Sequence, residues 1–200
     1  MLTTPVLSAQ QIDEFERDGF LIVRSAFNAA DMEKIDRWGT EVLELPEISG
    51  QHWVYHETSL TEPRKNLVSR IEKIAPFHQG FQELSEALKK PVGQILEEEA
   101  ELFKEKINFK MPGGDGFKPH QDSQAGWNAY ADFFVSVMVT IDEATEENGC
   151  LQVVPGHHKR GLFTSWEPLS VKDLEGMEFV PCPTKPGDIV FFDNFTPHSS

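Results

Sequence analysis

Two hundred residues, 39% of them hydrophobic and 26% charged, are enough to bury one sizeable core, and no linker or low-complexity tract divides them, so a single domain over residues 1–200 is expected. A formal net charge of −15 repels phosphate backbones and anionic lipid, which sets nucleic acid and membranes aside as partners. Two cysteines are too few for a disulfide framework, and neither a signal-like N-terminus nor an apolar run of bilayer length is visible, which predicts a cytoplasmic protein.

The first elements read as helical. Ser8-Ala-Gln-Gln11 has the form of a capping box and Gly19 is a natural stop, so a short helix is predicted over about residues 9–18. A buried strand over residues 20–23 follows. Asn28 can cap a second helix in which Met32, Ile35, Val42 and Leu45 share a face ahead of Pro46. Residues 50–70 carry Trp53, Tyr55 and several charges without clear periodicity and read as irregular structure. Phe77, Phe81, Leu84 and Leu88 recur at helical spacing after Pro76, and Pro91 with Gly93 is expected to end that helix.

Beyond residue 100 the hydrophobic period changes from helical to alternating. Phe103, Ile107, Phe109 and Met111 interleave with Lys104, Lys106, Asn108 and Lys110, which predicts a strand with a cationic face. On an open surface that face is simply solvated; in a barrel mouth it attracts an anionic ligand. Further strands are expected at residues 133–141, 150–154, 178–181 and 188–192, with Pro-Gly turns at Pro155-Gly156 and Pro186-Gly187. Short strands at this spacing, behind a mostly helical part over residues 1–95, predict a mainly β fold with a closed or sandwiched core over residues 100–200.

The residues that carry chemistry follow the Pro112-Gly113-Gly114 turn, in His120-Gln121-Asp122. In extended chain, positions i and i+2 share a face, so an imidazole and a carboxylate stand side by side. His198, just past the run at 188–192, can deliver a second imidazole. Two histidines and one carboxylate, with the remaining positions open, suit non-haem iron(II) oxygenase chemistry. Catalytic zinc on the same trio stays possible, although there is no His-Glu-x-x-His helix and no cysteine or histidine at finger spacing. An ordinary surface pair is the plain alternative for His120 and Asp122. His52, His56 and His78 have no paired carboxylate in the sequence and read as surface or satisfied core residues. His157 and His158 could be ligands, but read better as capping the Pro155-Gly156 turn or its loop. A serine elbow and a phosphate-binding loop are absent.

Four stretches, in this order, resemble the phytanoyl-CoA dioxygenase family of iron(II)/2-oxoglutarate-dependent oxygenases: His120-Gln121-Asp122, Asn148-Gly149-Cys150-Leu151, Pro155-Gly156-His157-His158, and the run from Gly187-Asp188 through Phe192 to His198. Asp18-Gly19-Phe20 resembles that family's opening helix-to-strand turn. The resemblance implies a double-stranded β-helix, or jelly roll, with helices packed outside. It implies Fe(2+) held by His120, Asp122 and His198 as the catalytic centre, with 2-oxoglutarate and O2 as co-substrates. Co-substrate contacts are implied for Lys106 and Asn108, with Gln121, Met138 and Arg70 as further candidates, and a substrate border at Trp127 and Asn128. The implied reaction is hydroxylation of an aliphatic C–H of a small polar molecule, since the sequence resembles relatives acting on small polar acids, aminophosphonates among them. The family's arginine beyond the distal histidine has no counterpart before Ser200. The resemblance therefore implies either a core lacking its last strands or a shortened relative that grips 2-oxoglutarate differently. A truncated, catalytically inert jelly roll that binds a ligand or partner is the alternative, and no residue pattern speaks to oligomeric state.

Overall fold

In chain order the computed structural model, which describes residues 1–200, contains α1 (Ala9–Asp18), β1 (Phe20–Val23), α2 (Ala29–Leu43), β2 (Trp53–Thr58), β3 (Asn66–Glu72), α3 (Gln79–Leu96), β4 (Lys106–Asn108), β5 (Val135–Val139), β6 (Leu151–Val153), β7 (Val180–Cys182), β8 (Ile189–Asp193) and β9 (His198–Ser199). Short 3-10 turns lie at Asp122–Ala125, Trp127–Ala129 and His157–Arg160. The chain forms two units: Met1–Pro5, Phe27–Gly93 and Glu98–Gly116 make the first, and Val6–Ala26, Gln94–Glu97 and Phe117–Ser200 the second. No helix is long and apolar enough to cross a membrane.

In the first unit, α2 begins where Asn28 accepts a hydrogen bond from the Asp31 N–H at 3.0 Å, a cap worth about 1 kcal/mol. Met32, Ile35, Trp38 and Val42 are buried, while Leu45 falls beyond the helix end. Trp38 meets Phe81 of α3 with ring centroids 6.5 Å apart. Gly80 permits that approach, because a Cβ there would lie 2.2 Å from the indole. Contrary to expectation, α3 passes through Pro91 and ends at Leu96, just ahead of Glu97, which adopts φ 55°. Proline removes one helical N–H, and burial of the Pro91 ring offsets that loss.

Residues 50–70 are not irregular. β2 and β3 form an antiparallel hairpin with a bulge between Tyr55 and His56, and β4 extends the sheet beyond β3. β2 escaped detection because it is an edge strand: Val54 and Glu57 are half-buried, while Trp53 and Tyr55 are exposed, so its alternation carries no apolar signature. The predicted strand around residues 103–111 shrinks to β4, with Ile107 buried and Phe103 exposed. In register, Tyr55, Arg70 and Asn108 make one row across the sheet and Trp53, Glu72 and Lys106 another, with Val54, Ile71 and Ile107 between them. The Arg70 guanidinium lies 4.1 Å over the Tyr55 ring, with Nε 2.9 Å from Glu72 Oε1.

In the second unit the capping box forms as predicted, Ser8 Oγ accepting from Gln11 N–H and Gln11 Oε1 from Ser8 N–H. Gly19 ends α1 at φ 79°, and a Cβ there would come within 2.2 Å of His158 Nδ1. Two three-stranded sheets follow, ordered β1-β8-β5 and β7-β6-β9. All five residues of β8 are buried, as befits a central strand. Val190 and Phe192 of β8 cluster with Leu151, Val153 and Cys182 from the other sheet, and Phe20, Ile22 and Met138 pack against them. The two sheets therefore share one apolar core, and the metal-ligand candidates lie at its margin.

Candidate metal centre

His198 on β9 is held from both sides. Val153 of β6 is its partner on one flank, and on the other its N–H and carbonyl each bond His120 at 2.9 Å. Gln121 is extended, with φ −114° and ψ 138°, so the residues flanking it project to the same side. Asp122 then opens a 3-10 turn instead of continuing a strand. The result brings one ligand atom from each of His120, Asp122 and His198 within 4.8 Å of one another. The two imidazole centroids are 4.2 Å apart, and the Phe192 ring lies 4.8 Å from that of His198.

Each imidazole is oriented by its own chain. His120 Nδ1 lies 2.7 Å from the Lys118 carbonyl, and His198 Nδ1 lies 2.9 Å from the Thr196 carbonyl. A carbonyl only accepts, so Nδ1 carries the proton in both rings and Nε2 keeps its lone pair for a metal. In both cases the acceptor sits two residues upstream across a proline, in Lys118-Pro119-His120 and Thr196-Pro197-His198. Proline's fixed φ and the extended bias it imposes on the preceding residue preset that carbonyl. This repeated pair is a sequence signal for the ligands that periodicity misses. Asp122 is oriented by β5, where Ser136 Oγ donates to Oδ2 at 2.5 Å while Oδ1 lies 3.9 Å from His198 Nε2. Asn194, 1% exposed, ties the same elements together: it accepts from Phe134 N–H, donates to Ser123 Oγ, and takes the Ser123 N–H on its carbonyl.

The donor set fits a divalent first-row ion with open coordination positions. Both imidazoles present Nε2, one carboxylate supplies the anion, and a closed tetrahedral zinc site would need a fourth protein ligand where this group has three.

Gln121 corrects an expectation. It is 1% exposed, its Nε2 donates to the carbonyls of Gly161 at 2.8 Å and Phe195 at 2.6 Å, and its Oε1 accepts from Phe163 N–H at 2.8 Å. The amide is committed to the backbone and clamps two loops. Met138 is half-buried on β5, two residues past Ser136 on the same strand face. Trp127 packs edge-on against Phe134 at 5.3 Å, and Asn128 beside it is exposed. Lys106 and Asn108 are exposed on β4 of the first unit, next to Arg70 on β3. His157 and His158 fasten loops, with nitrogens 3.3 Å from the Pro155 carbonyl and 3.2 Å from the Glu16 carbonyl. His56 and His78 do find carboxylates, Glu47 at 3.1 Å and Glu41 at 3.0 Å, whereas His52 is buried with neither ring nitrogen hydrogen-bonded.

A mainly β, jelly-roll fold with flanking helices, carrying two imidazoles and a carboxylate around open positions, defines the class of non-haem iron(II) oxygenases that use 2-oxoglutarate and O2. The chain belongs to the phytanoyl-CoA dioxygenase family: the family model described as Phytanoyl-CoA dioxygenase (PhyH) matches residues 15–200. It is 33% identical over 196 residues to a 2-aminoethylphosphonate dioxygenase from Uncultured bacterium HF130_AEPn_1, covering 96% of this chain and 74% of that one. It is 31% identical over 198 residues to the methylphosphonate hydroxylase of Gimesia maris, covering 97% and 74%. Among solved structures, EctD from S. alaskensis with 2-oxoglutarate and 5-hydroxyectoine superposes with a TM-score of 0.79 at 25% identity, over 96% of this chain and 70% of that one. The protein is an iron(II)- and 2-oxoglutarate-dependent dioxygenase, and the inert alternative is not favoured.

Proposed function

We propose that His120, Asp122 and His198 hold the iron(II), and that the enzyme hydroxylates an aliphatic C–H of a small organophosphonate or similarly polar acid in the cytoplasm. The observation that carries the ligand assignment is the convergence of the three donor atoms within 4.8 Å, with both imidazole tautomers already set. Support for the substrate class comes from the relatives named for 2-aminoethylphosphonate and methylphosphonate. With only two cysteines in the chain, both of them buried, a reducing compartment is supported.

Bound iron(II) with 2-oxoglutarate and O2 supplies an oxidant able to replace an aliphatic hydrogen by hydroxyl, with succinate and carbon dioxide as co-products. The chain's share is placement and the exclusion of water. The Lys118 and Thr196 carbonyls keep both Nε2 atoms available, and the Phe192 ring covers one side of the buried His198. A single carboxylate leaves net positive charge at the centre, which favours a chelating oxyacid. Met138 is our candidate for the co-substrate wall, and Trp127 with Asn128 for the substrate border.

The Asp122→Ala protein should lose tight iron binding and all succinate formation with either phosphonate. Full iron occupancy at parent affinity in that variant would overturn the ligand assignment. Iron binding by the parent without turnover of either phosphonate would overturn only the substrate class.

A further inference from the structure

The structure places one serine where the β5 pattern calls for an apolar residue. β5 reads Val135-Ser-Val-Met-Val139, and Ser136 is the only polar side chain on it. Ser136 is paired with Phe192 across β8, on the strand face that also carries Met138 toward the core cluster. A valine or isoleucine there would suit the sheet better than serine. Its neighbour Phe192 touches the His198 ring at 4.8 Å, and Ser136 Oγ bonds Asp122 Oδ2 at 2.5 Å. Adjacent residues of one sheet thus support two different members of the donor trio.

The two carboxylate oxygens of Asp122 are in consequence unequal. Oδ2 is engaged by the serine hydroxyl, and Oδ1 is the oxygen 3.9 Å from His198 Nε2. A six-coordinate ion held by three single-atom ligands would keep three positions, enough for a two-toothed 2-oxoglutarate and one O2. A carboxylate bound through both oxygens would occupy one of those three. We propose that Ser136 is a positioning residue that fixes Asp122 for binding through Oδ1 alone, and so sets the number of positions open to the co-substrates. It acts through Asp122 and touches neither co-substrate nor substrate in this role. The inference rests on the reading of His120, Asp122 and His198 as the metal ligands.

The test uses the full chain loaded with cobalt(II) in place of iron, because the visible absorption of cobalt(II) reports its coordination number without turnover. In Ser136→Ala the metal should bind about 10- to 100-fold more weakly, and its visible spectrum should change shape. An anaerobic 2-oxoglutarate titration of the iron(II) form should shift in parallel, and Ser136→Thr, which keeps the hydroxyl, should restore all three. A merely structural serine would lower the melting temperature and leave the spectrum as in the parent. Parent-like spectrum and affinity in Ser136→Ala would overturn the proposal. Should that variant fail to fold, Ser136→Cys keeps the size with only a weak donor and is read by the same criteria. Failure of the parent itself to bind cobalt(II) or iron(II) would remove the ligand assignment and this proposal with it, whereas a parent-like Ser136→Ala beside a metal-binding parent removes this proposal alone.

Discussion

Replacing Gln121 by leucine separates a loop clamp from a co-substrate contact. The side chain is 1% exposed and makes three hydrogen bonds to backbone groups of Gly161, Phe195 and Phe163, all between 2.6 and 2.8 Å. Leucine fills nearly the same volume but leaves two carbonyls and one N–H unpaired in a buried setting. At about 1 kcal/mol net for each neutral bond the cost is about 3 kcal/mol, more if no water reaches the freed groups. Phe195 lies three residues before His198, so the slackened turn also loosens a ligand, and iron affinity should fall about tenfold. Urea unfolding followed by tryptophan fluorescence gives the stability, and the midpoint should drop while the slope stays constant. A Gln121→Leu protein within about 0.5 kcal/mol of the parent, the range of harmless surface changes, would refute the clamp. A raised KM for 2-oxoglutarate at unchanged stability would instead return Gln121 to the co-substrate.

Two further changes probe the fold. Gly19→Ala forces a β-carbon at φ 79° to within 2.2 Å of His158 Nδ1, which should cost about 3 kcal/mol in a urea melt; a loss below about 1 kcal/mol would show that His158 moves aside freely. Burial pushes the Asp188 carboxyl up, but the N–H groups of Lys185 and Ser25 and the Arg24 guanidinium outweigh it and hold the group below its ordinary value. Its stabilisation is thus present above the unfolded value of about 3.9 and is lost as pH falls through the lower folded value. Asp188→Asn should cost about 2 kcal/mol at neutral pH and show a smaller fall in stability with acid than the parent, and identical acid profiles would contradict this.

Local chemistry was legible in the chain because it is written within a few residues. The Ser8-Gln11 box, Gly19 and Asn28 located α1 and the start of α2, since a cap depends on neighbours one turn away. The His120-Asp122 pair was legible for the same reason, one extended residue between them being enough to align both side chains. Its union with His198 was an inference from residue type, and tertiary pairing made it geometry, because only the β9 ladder brings positions 78 residues apart into mutual hydrogen bonding. The β2–β3 hairpin stayed hidden because an edge strand buries too little to leave an apolar rhythm, and α3 ran through Pro91 because packing of the ring outweighed a local stop signal. Ser136 and Gln121 are further cases of the same kind. A serine in a valine-rich strand and a glutamine between two ligands have no visible partner along the chain; what each one does depends on which carboxylate or carbonyl the folded sheets and loops set against it, at contacts 14 and up to 74 residues distant in sequence.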